Sequence, residues 1–115
     1  MAQREHFNLH QQDKGANAVL WTGRSGRRYA MTRERSASAA LAPARLYALE
    51  DDGVIRWAGT AEDLIGDHVS RERFRRAVAE GAQMFSLAAP ADPLTAMTLA
   101  WDLDGSRHFS GRDAA

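Results

Sequence analysis

Two short runs of apolar and β-prone residues, separated by glycines, predict a β-hairpin in the first third of the chain. Residues 18–22 (AVLWT) form the first run, and residues 27–32 alternate apolar with polar side chains. Between them lie Gly23 and Gly26, and glycine supplies the positive φ that tight turns need. Residues 33–44 then predict a loop or one or two turns of helix, because a proline within them interrupts regular structure.

A second hairpin is predicted over residues 45–58. Apolar side chains occupy residues 45–50 and 54–58, and an Asp-Gly pair between apolar runs is a strong short-range hairpin signal. The acidic residues before Gly53 have the ligand type that calcium prefers, but the apolar residues after it break the alternating oxygen donors of a calcium loop. A hairpin turn therefore explains them.

Capping signals predict two short helices after this hairpin. Thr60 is placed as an N-cap, followed by a helix over residues 61–65 that Gly66 ends. Ser70 is placed as the cap of a second helix over residues 71–80. The buried stripe of this second helix is predicted to consist of Phe74, Ala77 and Val78.

Two further strands, at residues 83–87 and 94–103, are predicted to form a third hairpin near the C-terminus. In the latter segment Met97, Leu99 and Trp101 alternate with smaller or polar residues, which is the period of a strand with one buried face. The aromatic residues are predicted to be mostly in the core, with Trp57 as the candidate for exposure.

The predicted fold class is α+β: a small antiparallel β-sheet built from hairpins, with two short helices packed on one face. A single domain is predicted over residues 16–104. Residues 1–15 and 105–115 are predicted to be flexible N-terminal and C-terminal tails.

Composition excludes several classes of protein. The chain has no run of about 18 apolar residues for a membrane span. Without cysteine it can form no disulfide, thiolate metal site or cysteine nucleophile, which suits a cytoplasmic protein. Fourteen of the 15 basic residues are arginine and 22 residues are alanine, which is typical of GC-rich bacterial coding sequences.

Charge is distributed unevenly although the 15 basic and 15 acidic residues cancel. Residues 1–49 hold eight basic and three acidic residues, a net charge of +5, and residues 50–115 carry −5. The fold decides whether these halves pair internally or form separate surfaces that could steer a partner.

Five arginines are the predicted contacts for a partner or an anion. Three lie on the first turn and two on the second helix: Arg24, Arg27, Arg28, Arg73 and Arg76. Guanidinium groups pair bidentately with carboxylates and phosphates. The turn lacks the GxxxxGK[ST] spacing of a phosphate loop, so a surface turn with solvated arginines is the alternative.

Residues of catalytic or metal-binding type do not follow the sequence pattern of a known catalytic or metal site. His6 and His10 have i,i+4 spacing, but no HExxH motif surrounds them. Asp102, Ser106 and His108 have the residue types of a hydrolytic triad but crowd a short glycine-containing stretch. We therefore predict no metal, no cofactor and no enzymatic activity.

Residues 52–66 (DGVIRWAGTAEDLIG) resemble the strand-to-helix passage of PAS sensor domains. The resemblance lies in a DG turn, a strand that ends near a tryptophan, and a short helix. In place of the asparagine that follows the tryptophan in that family, this chain has Ala58 and Gly59. The resemblance implies a PAS-like small-ligand sensor, which would also need a three-strand half after the helices.

The sequence as a whole favours a small non-enzymatic module that binds another protein. A nucleic-acid-binding protein that uses the basic segment between Arg24 and Arg45 is an alternative, and the PAS-like sensor is another. Exposed hairpin edges also make a homodimer a possible state.

Overall fold

The computed structural model describes residues 18–35 and 41–107 of the 115-residue chain. Its elements, in chain order, are β1 (Ala18–Thr22), β2 (Arg28–Arg33), β3 (Arg45–Asp51), β4 (Val54–Thr60), α1 (Ala61–Gly66), α2 (His68–Ala79), β5 (Gln83–Ala88) and α3 (Pro93–Leu103). The predicted α+β class is confirmed, with a helix where the last strand was expected.

The first two predicted hairpins are confirmed. β1 pairs antiparallel with β2, with Trp21 opposite Tyr29. β3 pairs antiparallel with β4, and the turn between them has a φ of 57° at Asp52 and 78° at Gly53. Two central residues with positive φ define a type I′ turn, whose twist matches that of the strands it joins. The Glu50 carboxylate accepts a 2.7 Å hydrogen bond from the Gly53 amide and closes the turn.

A β-bulge in the second hairpin redirects its side chains. Leu49 lies opposite Trp57 and Glu50 lies opposite Ile55, so Arg56 is an extra residue on β4. Side chains alternate along a regular strand, and one extra residue reverses that alternation. Ile55 and Trp57 consequently pack into different core clusters although they are two residues apart.

The two hairpins form one antiparallel sheet because β5 lies between them. The strand order is β1-β2-β5-β3-β4. β5 pairs along its whole length with β3, whereas it pairs with β2 only at Thr32 opposite Ser86 and Arg33 opposite Phe85. The first hairpin is therefore attached to the rest of the sheet by few backbone pairs, and other contacts must hold it in place.

Helices cover both faces of the sheet around β3. Four consecutive β3 residues, from Leu46 to Leu49, are buried, which requires cover on both faces because side chains alternate. Tyr47 and Leu49 pack in the cluster that α1 and α2 complete. This confirms the prediction that two short helices pack on one face of the sheet. Leu46 and Ala48 pack in the cluster that α3 completes on the opposite face.

The first helix pair begins at the capping residues. Thr60 caps α1, which confirms its predicted role, and it forms a capping box with Asp63. The predicted cap of α2 was wrong by three residues: Asp67 caps it, and its carboxylate accepts hydrogen bonds from the Val69 and Ser70 amides. Ser70 instead accepts a 2.8 Å hydrogen bond from the Trp57 indole.

The cluster beneath α2 contains the predicted helix stripe and Trp57. Phe74, Ala77 and Val78 pack in the cluster beneath α2, which confirms the stripe. Trp57, the candidate for an exposed aromatic, is only 1% exposed and meets Phe74 edge to face at 5.0 Å, so it belongs to the core as most of the other predicted core aromatics do.

The predicted strand at residues 94–103 was also wrong, because this segment is the helix α3, and the predicted third hairpin does not form. β5 pairs with β2 and β3 instead. Asp92 caps α3 by accepting a hydrogen bond from the Thr95 amide, and Pro93 occupies its first turn, where no amide donor is needed. Its buried residues are Ala96, Ala100 and Leu103, at spacings of four and three. The period-two pattern of larger residues does not mark a buried face.

Residues 105–107, which lie in the predicted C-terminal tail, are paired with β4. The Gly105 amide donates to the Ile55 carbonyl and the Ile55 amide donates to the Ser106 carbonyl, each over 2.9 Å. Trp21 donates its indole N–H to the buried Ser106 hydroxyl over 2.6 Å. The predicted tails at residues 1–15 and 108–115 lie outside the described residues.

The type I′ turn gives a direct stability test. Gly53→Ala should destabilise the fold by about 1 kcal/mol, because alanine is strained at a φ of 78° even though no atom lies near the added Cβ. Gly66→Ala is the matched control, since it also enters open space but without a positive φ, and it should be neutral or slightly stabilising. Urea unfolding followed by tryptophan fluorescence measures both, and equal stabilities of the two variants would contradict this account.

Candidate functional site

The turn between β1 and β2 holds an anion, and that anion is the chain's own Asp102 carboxylate. Ser25 donates its amide to Oδ1 over 2.6 Å and its hydroxyl to Oδ2 over 2.8 Å. Tyr29 donates its hydroxyl to Oδ2 over 2.7 Å. Since Asp102 lies in the last turn of α3, these bonds fix the end of that helix against the first hairpin.

The ionisation states of this cluster suit the hydrogen bonds it makes. Burial alone would raise the pKa of Asp102, but the hydrogen bonds from Tyr29 and Ser25 outweigh that effect and lower it. Burial, together with the hydrogen bond to Asp102, raises the pKa of Tyr29 to about 12. At neutral pH the carboxylate is therefore ionised and accepts, while the tyrosine is protonated and donates.

Gly23 allows the close approach of the turn to α3. A Cβ at this position would lie 2.3 Å from the Asp102 Oδ2 atom, closer than any real contact. The neighbouring Arg24 amide donates to the Asp102 carbonyl over 2.8 Å. Backbone and side chain of Asp102 thus both bind the turn.

A shallow groove of about 730 Å³ runs between this turn and α3. We call it the arginine groove; its lining residues are Arg24, Ser25, Arg27, Tyr29, Pro90, Thr95, Thr98, Leu99, Trp101 and Asp102. Both of its arginines are exposed, and the Arg27 guanidinium lies 5.7 Å from the Tyr29 ring centroid. The groove therefore offers two cations beside an aromatic and partly apolar wall.

The outer face of α3 exposes large apolar side chains. Leu94 is 64% exposed, Met97 is 46% exposed and Trp101 is 65% exposed. Their spacings of three and four residues place them along one side of the helix, and we call them the α3 ridge. Trp101 was predicted inside the core, and its exposure corrects that prediction.

A second groove, of about 610 Å³, lies on the other flank of α3. We call it the acidic groove; its lining residues are Pro43, Ala44, Thr60, Glu62, Asp63, Ala89, Pro90, Ala91, Pro93, Ala96 and Met97. Glu62 and Asp63 are exposed, and no basic residue is among those that line it in the described part of the chain. The α3 ridge thus separates two grooves of opposite charge.

The five predicted contact arginines lie in three places. Arg24 and Arg27 line the arginine groove. Arg28 precedes Tyr29 on β2, so its side chain is on the opposite face of the sheet. Arg73 and Arg76 line a separate cavity of about 390 Å³ beside α2 and β4.

Arg73 has a structural partner. Its guanidinium binds both oxygens of Asp104, at 2.9 and 2.7 Å, and donates to the Arg56 carbonyl over 2.6 Å. Hydrogen bonding to Asp104 raises the pKa of Arg73 above its usual value. Arg24 reaches the carbonyl of the same Asp104, over 3.3 Å. Asp104 therefore lies between the two predicted groups of arginines.

The fold brings parts of the two oppositely charged halves together. Asp102, from the acidic half, lies in the turn that carries Arg24 and Arg27 from the basic half. The pairing is incomplete, since both arginines remain exposed and Glu62 and Asp63 lie on the far flank of α3. Separate charged surfaces consequently persist on either side of the ridge.

The metal-binding and hydrolytic sites considered from the sequence are not formed by residues 18–35 and 41–107. This part of the chain holds no group of three metal-ligating residues, and none of its helices is long and apolar enough to span a membrane. Of the triad-like set, Asp102 binds the turn and Ser106 binds Trp21. His6, His10 and His108 lie outside the described residues.

Comparison of the chain with models of known protein families, with curated proteins and with solved structures finds no match. The residues that resemble a PAS passage form β4 and the capped helix α1. After the helix pair, a single strand, β5, and then α3 follow in the described residues, where a PAS half would need three strands. The resemblance thus remains local to residues 52–66.

The Asp102 contact predicts a pH-dependent loss of stability in Asp102→Asn. Above the ordinary aspartate pKa of about 3.9, the substitution should cost about 1–2 kcal/mol, because it removes the charge and one acceptor from three donors. The folded-state pKa of Asp102 is lowered, so its contribution is present above the unfolded pKa and disappears as the pH falls through the folded value. Urea unfolding of the wild type and Asp102→Asn at neutral and at strongly acidic pH measures how the cost of the substitution changes with pH.

Asp51→Asn is the control, because in the described residues its carboxylate makes no hydrogen bond. It should change stability by less than about 0.5 kcal/mol at either pH. The assigned role of the ionised Asp102 carboxylate would be contradicted if the difference in free energy of unfolding between wild type and Asp102→Asn were undiminished at strongly acidic pH.

Proposed function

We propose that this chain is a small non-enzymatic binding module that acts through protein–protein contact, and that the contact surface is the α3 ridge with the arginine groove beside it. The observation that carries the proposal is the exposure of Leu94, Met97 and Trp101 along one line of a helix. Single exposed apolar residues are ordinary on protein surfaces. Three large ones in a continuous line are typical of an interaction site.

The residue types support a protein partner. Tryptophan, methionine and arginine are enriched at protein interfaces, and the ridge and its arginine groove expose all three. Burial of a large apolar side chain contributes about 1.5–3 kcal/mol. Trp101 is the predicted energetic centre, because it is the largest of the three and lies beside the exposed Arg24 and Arg27.

The groove also suggests the chemistry of the partner. An apolar side chain on the partner would pack against Trp101 while a nearby carboxylate reaches the arginines. Asp102 and Asp104 lie close to these arginines, which lowers the local positive charge available for binding a nucleic-acid backbone. An acidic and apolar protein segment is therefore the favoured partner, in the cytoplasmic compartment that a cysteine-free chain suits.

Selection from a random peptide library displayed on phage, with the immobilised chain as bait, tests this proposal. Enriched peptides should combine Asp or Glu with a large apolar residue. Fluorescence anisotropy of one enriched peptide should then show at least about tenfold weaker binding to Trp101→Ser and to the double variant Arg24→Glu/Arg27→Glu.

Ile65→Ser is the matched control, since Ile65 is 81% exposed but lies on α1, outside the linings of both grooves. It should bind the peptide as the wild type does. The absence of any enriched peptide when the bait is a single copy, or equal binding by Trp101→Ser and wild type, would contradict the proposal. Affinity for random DNA or RNA that falls steeply with salt would favour the nucleic-acid alternative instead.

A further inference from the structure

The α3 ridge has cations on one flank and carboxylates on the other. Thr95 and Thr98 line the arginine groove, whereas Pro93 and Met97 line the acidic groove, so the helix itself separates the two. Arg24 and Arg27 outnumber the partly buried Asp102 on the first flank. Glu62 and Asp63 carry the charge on the second flank.

A surface with this arrangement is complementary to itself. A two-fold axis that runs along the ridge, at right angles to the line from the arginines to the carboxylates, brings each charged end over the opposite end of a second copy. The apolar ridge residues then meet at the centre, and the charges form the rim. This is the usual anatomy of a specific interface, in which an apolar core is surrounded by polar contacts.

We propose that the partner of the α3 ridge is a second copy of this chain, in a two-fold symmetric dimer in which Arg24 and Arg27 of one copy face Glu62 and Asp63 of the other. This inference rests on the proposed function, because it names the partner of the same surface. The interface is isologous, so every contact occurs twice and a small favourable pair is doubled.

The net charge of the chain does not oppose self-association. The chain carries 15 basic and 15 acidic residues, so two copies approach without net repulsion. The basic groups come from the half of the chain with a net charge of +5 and the acidic groups from the half with −5. The charge split in the sequence thus becomes two ends of one surface in the fold.

Trp101 provides an internal reporter of the interface. The chain has three tryptophans, of which Trp21 and Trp57 are each 1% exposed and Trp101 is 65% exposed. Acrylamide therefore quenches mainly Trp101 in the single copy. In the dimer Trp101 is buried, so quenching should decrease at least about twofold as the chain concentration rises.

Sedimentation equilibrium and acrylamide quenching on the full chain, from about 1 to 300 μM, test the dimer. The mass should rise from 12.7 kDa toward twice that value, and quenching should fall over the same concentration range. Trp101→Ser should remain a single copy throughout, whereas Ile65→Ser should associate as the wild type does.

A mixing experiment tests the predicted charge pairing. Arg27→Glu places two acidic groups opposite each other at each end of the dimer, and Glu62→Arg places two basic groups there. The dimer of each variant alone should have a dissociation constant at least about tenfold higher than that of the wild type. An equimolar mixture of the two should form a heterodimer at the concentrations at which the wild type dimerises, because every contact is again between opposite charges.

Arg56→Glu and Glu80→Arg are the controls for net charge, since they make the same changes beside α2, away from the ridge. Each alone, and their mixture, should associate as the wild type does. A single-copy mass at every concentration, a dimer that survives Trp101→Ser, or a mixture of Arg27→Glu and Glu62→Arg that stays dissociated would overturn the inference. Peptide selection by a chain that remains a single copy would leave the proposed function standing, with another protein as the partner.

Discussion

The contact between Asp102 and the β1–β2 turn fixes the end of α3 against the first hairpin, and the relative positions of the α3 ridge and the arginine groove depend on it. The first hairpin has only two paired positions with β5, so sheet pairing alone holds it weakly. The Asp102 carboxylate adds three hydrogen bonds from Ser25 and Tyr29, and Gly23 leaves the space for them. Because Asp102 belongs to α3, one side chain positions both the hairpin and the helix. It also places the turn arginines alongside the outer face of α3.

The composition of α3 explains why that outer face is apolar. Small residues, Ala96 and Ala100, lie against the sheet and let the helix approach closely, while Leu94, Met97 and Trp101 point away from it. A monomer gains nothing from large apolar groups in water. Their burial by a partner would recover that free energy, and the charged grooves on both flanks would restrict which partner fits. One side of this short helix thus packs against the sheet, and the other leaves three large apolar side chains exposed.

Local signals predicted the elements that are determined locally. The Asp-Gly turn, the glycine-containing first turn and the Thr60 cap depend on neighbouring residues, and each lies where the sequence placed it. α3 was misassigned because a period-two pattern of large residues outweighed the Asp92-Pro93 start signal, which is visible in the sequence and typical of a helix. The contact of Asp102 with Ser25 spans 77 residues and depends on a correct α3, so no local pattern could have revealed it. The exposure of Trp101 follows from the same helix.

The claim that the α3 ridge is a protein interface is tested most directly by the indole N–H signals of the three tryptophans in ¹H–¹⁵N spectra recorded over a range of chain concentrations. The Trp101 signal should shift with concentration, while those of the buried Trp21 and Trp57 stay fixed. Three signals that are all independent of concentration would contradict the dimer. A shift of Trp21 or Trp57 without Trp101 would place the interface elsewhere on the molecule.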